Sequence, residues 1–195
     1  MGSSAMKKLL TDIRACIVCA KHLPLGPRPV LQASAKSRVI IIGQAPGRIV
    51  HGTGIPWDDK SGDNLRAWLG VSKEQFYDPD LFALVPMGFC YPGKGRSGDL
   101  PPRPECAPLW HGKLMASMKQ AKLAILIGQY AHARYLGDST KPSLTETVKH
   151  FKDYLPRYFP LVHPSPRNNI WQAKNQWFGE EVLPVLRSSI EQTMK

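Results

Sequence analysis

The chain has 195 residues, with 26 Lys and Arg against 15 Asp and Glu, so it carries a net charge of +11 with its histidines neutral. That length suits one domain able to bury a core without disulfides, and no run approaches the ~18 apolar residues of a membrane span. A disulfide miniprotein is excluded, no membrane-spanning helix is expected, and the charge points to a polyanionic partner. Basic residues are spread along the chain with no basic amphipathic helix, which favours nucleic acid over a membrane surface.

Met1 to Ala5, ahead of a second methionine at Met6, read as an expression remnant, leaving one domain over residues 6–195. Lys7 and Lys8 are followed by only two leucines before Thr11, Asp12 and Arg14, so no secretory signal is expected. Met6 stands where a myristoylation motif after Gly2 needs Ser or Thr. The expected location is cytoplasmic, at the nucleoid, and the expected state is a monomer.

In chain order, Leu9 to Cys16 has helical spacing, and Arg38 to Gly43 (RVIIIG) is a continuous β-branched run ending in Gly. Ser61 to Leu69 predicts a helix with Asp63 as its cap or first-turn acid. Leu81 to Met87 predicts a strand and Trp110 to Gln120 a helix. Leu123 to Gly128 (LAILIG) repeats the strand-then-Gly pattern, followed by a short helix from Ala131 to Leu136 and a fourth strand from Tyr158 to Val162. Asn175 to Glu191 closes the chain as a helix that Pro184 kinks or splits. Tyr91 to Pro108 is dense in Gly and Pro, with Lys94, Arg96 and Arg103 embedded, and reads as a long loop.

Short, fully apolar strands alternating with helices predict an α/β fold whose mainly parallel sheet is covered on both faces, a three-layer α/β/α arrangement. Ligands of such sheets sit beyond the carboxyl ends of the strands. Three segments fall there: Gln44 to Trp57, Gly88 to Cys106 and His163 to Asn169.

The four cysteines are a C-x2-C pair, Cys16 and Cys19, and a distant pair, Cys90 and Cys106, with fifteen residues between. Free cysteine is a common small buried hydrophobe. Four thiols in this pattern also make a ligand set, for an iron-sulfur cluster or, failing the second short C-x2-C of a zinc ribbon, less readily for zinc. GQAPG (Gly43 to Gly47) lacks the spacing of a dinucleotide fingerprint, and GKGRSG (Gly93 to Gly98) lacks the Lys-Ser/Thr ending of a phosphate loop. No His-x-Glu precedes a Pro-Cys-x-x-Cys, so zinc deaminase chemistry is not expected.

In order along the chain, C-x2-C, a strand with GQAPG, GIPW (Gly54 to Trp57), C-x15-C and a strand with HPSPRN (His163 to Asn168) resemble the uracil-DNA glycosylase superfamily, most closely its iron-sulfur branch, family four. The resemblance implies a four-stranded parallel sheet, a [4Fe-4S] cluster on Cys16, Cys19, Cys90 and Cys106, and excision of a damaged base from DNA. It makes Trp57 similar to the family's stacking aromatic. An enzyme of this kind takes the nucleotide out of the stack and needs donors where the departing base gathers negative charge. His163 resembles that donor, and the amides of Gln44 and Ala45 would grip base carbonyls. Arg48, Lys94, Arg96, Ser165 and Arg167 would hold phosphates around the flipped nucleotide.

The chain departs from the pattern at three places. The branch has Glu where Gln44 stands, and the best-known uracil-DNA glycosylases follow their Gln with a water-activating Asp where this chain has Ala45. The Asn that reads the pyrimidine edge is replaced by Pro86. With no acid in the motif, Asp58, Asp59 and His51 are the nearby candidates for orienting water. The leading expectation is a monofunctional glycosylase acting on uracil or another deaminated base. The alternative is a DNA-binding or damage-sensing member without turnover; an enzyme of free nucleosides has no need of the charge.

Overall fold

The computed structural model describes residues 3–195. Of the segment read as an expression remnant, Met1 and Gly2 lie outside the described residues, while Ser3 to Ala5 begin helix α1 (Ser3–Arg14). Met6, on the same helix, is buried.

Four strands, β1 (Val39–Ile42), β2 (Phe82–Leu84), β3 (Leu123–Ile127) and β4 (Tyr158–Leu161), form a sheet in the order β2-β1-β3-β4. Every pairing is parallel, with Ile40 opposite Ala83 and Ala124, and Ile125 opposite Phe159. Pro160 is accommodated because β4 is an edge.

Successive side chains of a strand point to opposite faces, so an all-apolar strand needs a cover on each. Val39 and Ile41 enter one core with Leu65, Phe76, Phe178 and Leu186; Ile40 and Ile42 enter the other with Ile13, Phe89 and Leu114. Each fully buried Leu, Ile or Phe contributes about 1.5–3 kcal/mol, so the two cores hold the layers together. The first face is covered by α3 (Lys60–Leu69) and α9 (Leu183–Met194), the second by α1 and α5 (Cys106–Ser117). The three-layer α/β/α expectation holds.

The remaining helices are short: α2 (Arg48–Thr53), α4 (Lys73–Phe76), α6 (Gln129–Leu136), α7 (Leu144–Lys149) and α8 (Asn169–Lys174). All but α6 escape the sequence pattern, being too brief to show a helical period. The cap of α3 is Asp59, whose side chain accepts from the Gly62 amide at 2.9 Å, rather than Asp63; Asp63 is a first-turn acid paired with Arg66. The closing helix splits as expected: a π-helical turn (Phe178–Val182) leads into α9, and Pro184 falls in its first turn, where no amide is missed. Among the described residues, no helix is long and apolar enough to cross a membrane.

Candidate active site

Beyond the carboxyl ends of β1, β2 and β4 opens a cleft of about 660 Å³. All three segments singled out in the sequence reach it: Gln44, Ala45, Arg48, Trp57 and Asp59 after β1, Pro86, Tyr91, Lys94 and Asp99 after β2, and His163, Ser165 and Arg167 after β4. Residues more than a hundred positions apart meet there because the strands run parallel and so finish at the same end of the sheet.

Trp57 is set by two glycines. Its backbone is left-handed, φ 58°, a conformation that costs a residue with a Cβ about 1–3 kcal/mol and persists only where the surroundings impose it. A Cβ on Gly62 would stand 1.7 Å from the Trp57 carbonyl oxygen, and one on Gly43 would stand 2.7 Å from Cζ2 of its indole. The carbonyl also accepts from Arg66 Nη1 at 3.4 Å, and Tyr77 donates its hydroxyl to the preceding Pro56 carbonyl at 3.0 Å. The indole is half-buried and leans on His163, ring centroids 5.8 Å apart.

His163 is fixed through its backbone. Its carbonyl accepts from Asn168 Nδ2 at 2.7 Å, and the next carbonyl, of Pro164, accepts from Asn64 Nδ2 of α3 at 2.9 Å. Burial lowers the imidazole's pKa from its ordinary value, against a smaller opposing pull from Asp59, so at neutral pH the ring is uncharged. Among the described residues its ring nitrogens make no hydrogen bond, which leaves the N–H of this cleft-lining residue without a protein acceptor.

The GQAPG turn offers further donors. Among the described residues the amides of Gln44 and Ala45 donate to no protein group, while the Gln44 carbonyl accepts from Gly88. The Gly- and Pro-rich loop is ordered: Lys94 and Asp99 form an antiparallel bridge, Gly95 donates to Gly98 at 2.6 Å, and Leu100 donates to Gly93 at 2.8 Å. Gln44 Nε2 reaches the Leu100 carbonyl at 3.4 Å, tying this loop to the turn.

Not every candidate enters the cleft. Asp59 lines it, but Asp58 and His51 do not; His51 sits buried on α2 beside Tyr91, with Nδ1 unpartnered and its pKa lowered by burial and then by Arg28. Arg96 belongs to the same loop as Lys94 without lining the cleft, and the Ser165 side chain is engaged in accepting from the Arg167 amide at 3.3 Å. Two contributors were missed. Asp99 lines the cleft from a loop whose register no sequence period reveals. His111 of α5 holds the cleft-lining Pro86 by donating from Nε2 to its carbonyl at 3.0 Å, while Nδ1 accepts from the Tyr135 hydroxyl at 2.7 Å.

A second, smaller cavity is lined by all four cysteines. Cys16 and Cys19 lie in the turn after α1 rather than within a helix, and Cys106 opens α5. The Phe89 amide donates to Cys106 Sγ at 3.4 Å, and burial pushes that thiol up to about 12. Two buried N–H groups on residues of this cavity, Arg103 Nε and Trp110 Nε1, have no acceptor. Among the described residues no three His, Cys, Asp or Glu side chains are grouped as a site for a single metal ion such as zinc.

The model of the uracil DNA glycosylase superfamily matches residues 31–187, a span that begins after Cys16 and Cys19 and takes in the sheet and every residue lining the cleft but Val30. With a parallel four-stranded sheet, a cleft at its carboxyl ends and a family match over most of its length, the chain belongs to the uracil DNA glycosylase superfamily.

Proposed function

We propose that the chain is a monofunctional DNA glycosylase that hydrolyses the N-glycosidic bond of uracil or another deaminated base. The observation that carries this reading is the convergence, in one cleft, of an aromatic face, an uncharged imidazole and two free backbone amides: Trp57, His163, Gln44 and Ala45. The flipped base stacks on Trp57, and the amides donate to its carbonyls. As the bond to C1′ breaks, its electron pair moves into the base, and the His163 N–H donates to the oxygen where charge gathers. A neutral donor suits this task, because it is preset before the charge develops. Arg48, Lys94 and Arg167, exposed around the cleft, sit where phosphates of the flipped nucleotide would lie.

We further propose that Cys16, Cys19, Cys90 and Cys106 hold a [4Fe-4S] cluster. Four thiols facing one cavity, and two buried N–H donors lacking acceptors, suit an anionic group with sulfur acceptors. Such a cluster supplies cross-linking of the N-terminal turn to α5 and a one-electron redox centre.

Alkali-revealed strand scission of end-labelled oligonucleotides tests the activity, with one uracil, hypoxanthine, xanthine or mismatched thymine in each, single- and double-stranded. Excision of one of these bases is the expected result. Binding that weakens steeply with salt but yields no excision would instead support the damage-sensing reading, which rests on Ala45 standing where a catalytic acid is needed.

A further inference from the structure

We infer that Asp99, from the Gly- and Pro-rich loop, is the carboxylate that orients and deprotonates the attacking water, replacing the acid that the GQAPG turn lacks. The inference rests on the glycosylase reading of the cleft. Two acids line that cleft, Asp59 and Asp99. Asp59 is committed: its Oδ1 caps α3 through the Gly62 amide at 2.9 Å. Asp99 has no such duty. Among the described residues its carboxylate makes no hydrogen bond and no ion pair within 4.0 Å, although Lys94 and Arg167 are near enough to act on it electrostatically.

Its position relative to the turn is fixed. A Cβ built on Gly47 would stand 3.4 Å from Asp99 Oδ2, so the carboxylate lies directly against the turn that offers the free amides. The loop that carries it is held by the Lys94–Asp99 bridge and by Gln44 Nε2 on the Leu100 carbonyl. A carboxylate placed in this way, unpaired in a cleft, is the pattern expected of a reacting group rather than a structural one.

The charged groups that act on Asp99 are Arg167 after β4 and Lys94 of its own loop, with Arg48, Asp59 and His163 elsewhere on the cleft wall. Partial burial raises the Asp99 pKa above its ordinary value, against the smaller opposing pull of Arg167 and Lys94, a shift in the direction that makes a carboxylate a stronger base. In the reaction the water oxygen bonds to C1′ as the C1′–N bond breaks. One water proton passes to an Asp99 carboxylate oxygen and the bond's electron pair leaves with the base, giving an abasic deoxyribose bearing the new hydroxyl.

The test is the single-turnover excision rate of the full chain and of Asp99→Asn on the oligonucleotide that the wild-type protein cleaves best, measured from pH 4.5 to 8, with DNA affinity measured in parallel. The wild-type rate should rise with pH along an acid limb. Asp99→Asn should lose about 100-fold or more of the rate at neutral pH, lose that limb, and bind the same DNA within a few-fold of wild type. Asp99→Glu should restore part of the rate and a displaced limb. A rate for Asp99→Asn within threefold of wild type, or an acid limb unchanged in it, overturns the assignment while leaving the glycosylase reading intact. No excision by the wild-type protein from any substrate overturns both.

Discussion

The ring centroids of Trp57 and His163 stand 5.8 Å apart and the planes 33° from parallel, so the proposed stacking face and the proposed leaving-group donor lean on each other in the wall of the cleft. Removing the imidazole therefore removes a donor and a support. His163→Ala should lose about 2–4 kcal/mol of transition-state stabilisation, read as a fall in single-turnover excision, with little change in DNA affinity. An unchanged rate would take His163 out of the mechanism.

The seat of Trp57 is equally open to test. Gly62→Ala puts a methyl group 1.7 Å from the Trp57 carbonyl oxygen, so helix α3 and the left-handed turn cannot both keep their places. The variant should lose about 1–3 kcal/mol of stability, measured by urea unfolding, and its tryptophan emission should shift as Trp57 moves. An unaltered midpoint and spectrum would show that the turn yields without cost.

Acid should weaken the fold through His111. Burial lowers its pKa from 6.5 to about 4, so the unfolded chain takes up this proton first as pH falls. Its contribution is complete above pH 6.5 and is lost progressively down to about pH 4, amounting to about 3 kcal/mol. Protonation would also take away the Nδ1 lone pair that accepts from Tyr135. His111→Gln should flatten the slope of unfolding free energy against pH across that window, whatever its own offset; an equally steep slope would locate the acid sensitivity elsewhere, with buried His132 the next group in line.

The cysteine cavity makes a prediction independent of activity. Protein purified without air should be brown and contain iron and acid-labile sulfide, and Cys106→Ser should lose both. Trp110→Phe, which deletes one orphaned N–H, should keep the iron but lower the reduction potential, since a donor to sulfur favours the reduced cluster. A colourless protein with one zinc per chain would refute the cluster.

Much of this was legible in the sequence because its strands are so plainly apolar: VIII and LAILI are buried on both faces, and only a covered parallel sheet accommodates that. The Gly- and Pro-rich segments after the strands marked the cleft for the same reason, since such loops must lie at strand ends. What the chain did not announce is direction. Asp58 and Asp59 are neighbours, yet only Asp59 lines the cleft, a difference that follows the backbone just after the left-handed Trp57 and that no sequence period encodes. Asp99 depends on a two-stranded loop without a hydrophobic period, and His111 on a helix whose buried face contains a polar residue.

The segment from Pro86 to Tyr91 borders both cavities. Pro86 and Tyr91 line the cleft, whereas Gly88, Phe89 and Cys90 between them line the cysteine cavity. One stretch of backbone is thus a party wall between two rooms, too short to bend on one side without moving on the other. Cys90 is the immediate chain neighbour of the cleft-lining Tyr91, so a change in the state of its thiol is expected to register in the wall of the cleft.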